Sequence, residues 1–160
     1  MAEARVAIVY GSPTDAAVMS KAGATLQRFG VGFEEVSISA HRAPHTLTEW
    51  ISGLVPRGIQ IVIAGAGLSA ALPGVVAAQT PLPVIGVPMK GGVMDGVDAL
   101  LSIAQMPPGV PVACVGMGNA TNAAVLAVQI LAVGDPSLRP GLEEFKEQFE
   151  TDAALRLSGG

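Results

Sequence analysis

Short apolar runs rich in valine and isoleucine recur along the chain at Val6–Tyr10, Phe33–Ile38, Ile59–Ala64, Val84–Val87 and Val110–Val115, each bounded by Gly, Pro or Ser. Several are apolar nearly throughout and do not alternate, as expected of strands covered on both faces. Helical stretches lie between them: about Asp15 to Phe29, closed by Gly30; Pro44 to Leu54, opened by a proline; Ser69 to Ala78; Gly96 to Ala104; and Thr121 to Val133. Five strand–helix units in series predict an α/β fold with a parallel sheet and helices on both sides, because right-handed crossovers leave few other solutions.

The segment from Ser137 to Leu157 has a different texture. Five of the thirteen acidic residues gather there, beside Leu138, Leu142, Phe145 and Phe149 at helical spacing. One face of this helix wants burial and the other water. Its apolar face either folds onto its own domain or packs against a neighbouring subunit. With 160 residues the chain makes one domain, 1–160, divided into an α/β core over 1–134 and a C-terminal helical extension over 135–160.

Composition sharpens this picture. Half the chain is apolar and 14% is charged, against roughly 25% charged in an average soluble domain. Gly58–Met89 and Ala99–Gly134 carry no charge at all. Pro73, Pro81, Pro83 and Pro88, with Gly65, Gly67, Gly74 and Gly86, exclude a continuous membrane-spanning helix from the first of these runs. Both runs read as buried strands, small-residue helices and subunit contacts. Residues 1–5 show no basic segment followed by an apolar stretch, so the expected compartment is the cytoplasm. Cys114 is the only cysteine, and two histidines make a poor supply of soft metal ligands. A net charge of −4 without basic clusters argues against a nucleic-acid surface.

In an open parallel sheet ligands bind beyond the carboxyl ends of the strands. The turns Gly11–Asp15, Ser39–Arg42 and Gly65–Ser69 therefore converge on one pocket. His41, next to Arg42, is an acid–base group beside a permanent cation, a pairing suited to an anionic substrate. Arg42 is the only fixed cation in these three turns. Ser12 and Asp15 add a hydroxyl and a carboxylate at the pocket rim, although Thr14 or Asp15 also suits a helix N-cap.

Other strings read more blandly. Gly65-Ala66-Gly67-Leu68-Ser69-Ala70 spells G-x-G-x-x-A, but it follows the third strand and has no acid about twenty residues on. It reads as a loop that lets a ligand approach backbone amides. His41, His45 and Glu49 are spaced like metal ligands, yet Pro44 starts the helix and leaves His41 off the face that His45 shares with Glu49. No G-x-S-x-G elbow, Walker lysine motif or cysteine pair supports a hydrolase, kinase-like or redox reading.

Gly11-Ser12-Pro13-Thr14-Asp15, Ser39-Ala40-His41-Arg42, Leu72-Pro73-Gly74, Pro83-Val84-Ile85-Gly86-Val87-Pro88 and the stretch Leu100 to Val112 together resemble the N5-carboxyaminoimidazole ribonucleotide mutases of purine biosynthesis, in order, from about Val6 to Leu131. The resemblance implies a flavodoxin-like, three-layer α/β/α domain. It also implies a homo-octamer in which the last helix reaches a neighbour, a small ribonucleotide substrate, and no metal, biotin or ATP as cofactor. Carried onto this chain, it makes His41 the acid–base residue, assigns the ribose to Ser12 and Asp15 and the phosphate to Arg42, and completes the substrate-binding set with Ser39, Gly67, Leu68 and Ser69. Thr14 stands where the family commonly has serine. Ala71 stands where typical bacterial mutases have a second histidine, and Ser69 resembles the carboxylase branch instead. The mutase, a carboxylase using carbon dioxide directly and a non-catalytic nucleotide-binding module therefore remain the three readings.

Overall fold

The computed structural model describes residues 3–158, with side chains placed through Thr151. Met1, Ala2, Gly159, Gly160 and the side chains beyond Thr151 lie outside the described residues, and with them the two ends of the 1–160 domain.

Five strands, β1 (Ala4–Tyr10), β2 (Gly32–Ser37), β3 (Ile61–Ala66), β4 (Val84–Pro88) and β5 (Ala113–Cys114), form one parallel sheet in the order β2-β1-β3-β4-β5. That is the flavodoxin-like order. Six helices accompany it: α1 (Ala16–Arg28), α2 (Pro44–Ser52), α3 (Ala71–Ala77), α4 (Val97–Ala104), α5 (Ala120–Gly134) and α6 (Arg139–Ser158). Successive side chains of a strand point to opposite faces, and β1 shows it cleanly. Val6, Ile8 and Tyr10 join one core with α1, α5 and Leu142 of α6, while Ala7 and Val9 join the other with α2, α3 and α4. The result is the expected α/β/α sandwich, with β3 and β4 buried along their whole length.

The element ends differ from the sequence pattern for local reasons. The third strand starts at Ile61, not Ile59, because pairing with β1 begins at Val6↔Ile61. The fifth shrinks to two residues, since Pro111 has no N–H to give to a ladder. The first helix starts after a 3-10 turn at Pro13–Asp15, and α3 starts two residues late, behind Ala70 in the left-handed conformation.

Helix α6 divides its apolar stripe. Leu142 is buried in its own domain, and Phe145 stacks at 5.5 Å on Phe29, just past the end of α1, with the Arg28 guanidinium 4.9 Å from its ring centre. Phe149 lies edge-on to Phe145 at 5.1 Å but remains 59% exposed. At the same end of the sheet, where the strands begin, Arg5 pairs with Asp135 at 2.7 Å and donates to Gln60 at 2.9 Å, tying the start of β1 to the segment that leads into α6.

Glycine at 86 lets α4 lie directly on the sheet: a Cβ there would collide with the Ile103 side chain and stand 3.1 Å from Val112. Gly86→Ala is expected to cost about 1–3 kcal/mol through overpacking. The measurement is a lowered denaturant midpoint at constant m value.

Candidate active site

A cavity of about 560 Å³ opens beyond the carboxyl ends of β2, β1, β3 and β4, a volume typical of small-molecule sites. Backbone bonds hold its floor: Ile38 N–H to the Tyr10 carbonyl at 2.9 Å, Gly11 N–H to Gly65 at 3.3 Å and Met89 N–H to Ala66 at 2.9 Å. Four strand ends thus stay level, and the turns that leave them make the walls.

The first wall is the turn after β1. Ser12 accepts the Thr14 N–H at 3.3 Å and shares a 2.8 Å hydrogen bond with the Thr14 hydroxyl. Ser12 is therefore the cap, in place of the expected Thr14 or Asp15. Asp15 stands at the start of α1 without a side-chain capping bond and faces the cavity half-buried. Burial pushes its carboxyl above the usual range, against the opposing pull of the Thr14 hydroxyl. The Tyr10 phenol at the end of β1 is also pushed up, first by burial, then by its hydrogen bond to Glu35 and by the charges of Glu35 and Asp15.

The second wall is Ser39–Arg42. The Ser39 hydroxyl accepts the Arg42 N–H at 3.3 Å and its carbonyl accepts the Ala43 N–H at 2.9 Å, a turn completed as Pro44 opens α2. The Arg42 guanidinium donates to the Gly11 carbonyl at 3.4 Å and so leans across the mouth toward the first wall. His41 lines the cavity from the exposed tip of the turn. His45 and Glu49 lie along α2 outside the lining, and among the described residues no three His, Cys, Asp or Glu side chains gather as metal ligands would.

The third wall runs from Gly67 to Leu72. Two non-glycine residues, Leu68 (φ 53°) and Ala70 (φ 40°), adopt the left-handed region, a strain found mainly where a site demands a particular backbone course. Gly67 admits close packing: a Cβ there would meet Met89 at 3.3 Å. Gly67 and Leu68 line the cavity as expected, but Ser69 does not. It is exposed between the two left-handed residues, which turn it outward, and it makes no capping bond to α3. Ala71 does line the cavity and brings a methyl group where the mutase pattern has an imidazole.

A fourth wall escapes a reading based on three turns. Met89 and Lys90, which follow β4, close the side opposite Arg42. Arg42 is therefore not the cavity's only cation. The signal was available, because the fourth strand also ends at this edge, just before Gly91-Gly92. One half of the cavity carries hydroxyls, a carboxylate, an imidazole and a guanidinium; the other carries Gly67, Leu68, Ala70, Ala71, Leu72 and Met89, with Lys90 at its edge.

Fold and cavity together define a flavodoxin-like α/β protein whose cavity is lined by one imidazole, one guanidinium and one lysine. The sequence profile of the AIR carboxylase family matches residues 5–152, and the chain belongs to that family. It is 51% identical over 98% of its length to phosphoribosylaminoimidazole carboxylase of Saccharomyces cerevisiae, of which it spans 27%. It is 48% identical over 91% of its length to N5-carboxyaminoimidazole ribonucleotide mutase of Pyrococcus abyssi, covering 84% of that protein. The crystal structure of Treponema denticola PurE superposes with a TM-score of 0.88 at 25% identity, over 96% of each chain.

A carboxyl group with a raised pKa binds its proton more tightly folded than unfolded, so its ionisation costs stability. The contribution of Asp15 is therefore lost as pH rises from the ordinary carboxylate value through the raised one. Asp15→Asn is expected to melt higher than the parent at neutral pH, with the difference shrinking toward acid. Thermal denaturation at several pH values checks this.

Proposed function

We propose that the chain is an N5-carboxyaminoimidazole ribonucleotide mutase of de novo purine biosynthesis, moving a carboxyl group from the exocyclic amine of the aminoimidazole to ring carbon 4. The observation that carries this reading is the single imidazole of the cavity, His41, placed beside Arg42 and facing a mostly apolar wall. The short archaeal relative with that printed name, 84% covered by this chain, supports it.

The chemistry needs no more than this inventory. His41 protonates the exocyclic nitrogen as the carbamate C–N bond breaks, releasing neutral carbon dioxide. Carbon 4 of the ring then attacks that molecule, the new C–C bond forms, and the proton from carbon 4 returns to His41. One proton is given and one taken, so the enzyme ends as it began. Arg42 holds the phosphate, helped by the Ser39 turn, since guanidinium suits bidentate contact with phosphate oxygens. Ser12 and Asp15 bind the ribose hydroxyls. Gly67 and Leu68 border the imidazole, and the apolar groups around Ala71 and Met89 keep water from carbon dioxide between the two steps. Ser69 lies outside the lining.

A second reading has its own observation. Ala71 in place of an imidazole suits a carboxylase that takes carbon dioxide from solution. Substrate labelled in its carboxyl group, given with unlabelled bicarbonate, separates the two: retained label supports the mutase, whereas diluted label, or turnover only from aminoimidazole ribonucleotide and bicarbonate, replaces it with the carboxylase. His41→Asn is expected to keep nucleotide binding and lose about a hundredfold to ten-thousandfold in turnover. Near-normal turnover in that variant would sink the assignment.

The same reading includes a cytoplasmic homo-octamer with α6 against a neighbour. Val93, Met94, Val97 and Leu101, on the turn after Lys90 and on α4, and Phe149 on α6 are exposed apolar groups that support such contacts. No helix among the described residues is long and apolar enough to cross a membrane. Removing residues from Arg139 onward is expected to lower the mass or the melting temperature of the assembly in sedimentation and calorimetry; a truncated chain that matches the full one contradicts the role of α6.

A further inference from the structure

Two cations face the cavity from opposite walls. Arg42 is drawn over the end of β1 by its bond to the Gly11 carbonyl. Lys90 follows β4, two strands away, a separation of about 10 Å at the usual spacing of paired strands. Its backbone is firmly set: Met89 N–H binds the Ala66 carbonyl at 2.9 Å, Gly118 N–H binds that of Pro88 at 2.8 Å, and Gly96 packs so closely that a Cβ there would lie 3.1 Å from the Lys90 Cα. Gly91 and Gly92, both at positive φ, then turn the chain away and leave Lys90 at the strand tip. Among the described residues neither salt bridge involves Lys90. The lining around it is apolar, and Asp15, the one carboxylate of the cavity, belongs to the opposite wall.

We propose that Lys90 binds the substrate's carboxylate and so selects carboxylated over uncarboxylated nucleotide. This rests on the functional reading above, in which the substrate has two anionic ends, a phosphate and a carboxyl group, on either side of the ribose. With the phosphate on Arg42, the carboxyl group enters the apolar half, where a charge without a partner is costly. Lys90 is the one group there that can balance it. The ammonium meets a carboxylate in substrate and in product but only neutral carbon dioxide between them. Its attraction therefore favours the bound ends of the reaction, not the crossing, and belongs in KM instead of kcat.

The test uses the full-length protein and three variants, Lys90→Gln, Lys90→Arg and Arg42→Ala, with N5-carboxyaminoimidazole ribonucleotide and the uncarboxylated aminoimidazole ribonucleotide as ligands. Lys90→Gln is expected to raise KM for the carboxylated nucleotide about tenfold to a hundredfold, leave kcat undiminished, and leave affinity for the uncarboxylated nucleotide unchanged. Lys90→Arg keeps most of the discrimination, and Arg42→Ala weakens both ligands. An unchanged KM in Lys90→Gln, in a parent that turns the substrate over, overturns the role of Lys90 alone. Equal loss for both nucleotides moves Lys90 to the phosphate and overturns it too. A parent that neither binds nor converts these nucleotides fails the functional reading, and the proposal falls with it.

Discussion

The reversal of winding at β1 is the constraint on which this molecule depends. From β1 the chain moves outward to β2, then crosses back over β1 to β3 and continues to β4 and β5. Right-handed crossovers on either side of that reversal place α1 on one face of the sheet and α2, α3 and α4 on the other. The connections leaving β1 and β3 therefore diverge, and a crevice opens where they part. Every functional group named above hangs from that crevice, and the bonds among Gly11, Gly65, Ala66 and Met89 keep its edges from shearing.

The site is maintained against its own cost. Asp15 is half-buried without a cation beside it, and Leu68 and Ala70 hold a backbone conformation that L side chains avoid. These are local losses that the closely packed core beneath must offset. Packing there is tight enough that small residues become obligatory: at Gly65 a Cβ would stand 2.6 Å from both the Met19 sulfur and the Met89 methyl group. Close approach of α1 and of the fourth wall to β3 is what brings the site's two halves within reach of one ligand.

Much of the fold was legible because a doubly covered parallel strand writes itself as an unbroken apolar run, as at Val6–Tyr10 and Val84–Val87. Where this failed, a hydrogen-bonding fact was missing from the pattern. Ile59 is apolar and buried but has no strand partner, because β1 offers its first register position to Ile61. In the candidate site, His41 and Arg42 stood out by rarity and adjacency. Lys90 did not, because a lysine after an apolar run looks like any solvated strand end, and only the placement of β4 beside β3 turns it toward the cavity. Ser69 stands outside the cavity lining for the converse reason: its hydroxyl suits a binding loop, but left-handed geometry at non-glycine neighbours leaves no mark in the sequence.

The chain's own letters determined the α/β class, the series of strand–helix units, the start of α2 at Pro44 and the pairing of one imidazole with one guanidinium, because each follows from periodicity, backbone stereochemistry or residue type within a few positions. Tertiary structure alone decided which serine caps the first turn, that Ser69 turns away, that Lys90 faces Arg42 across the cavity, and that Phe145 folds home while Phe149 stays out. These depend on distances between segments far apart in the chain, and such distances are set by how the sheet orders its strands and how closely the helices settle on it.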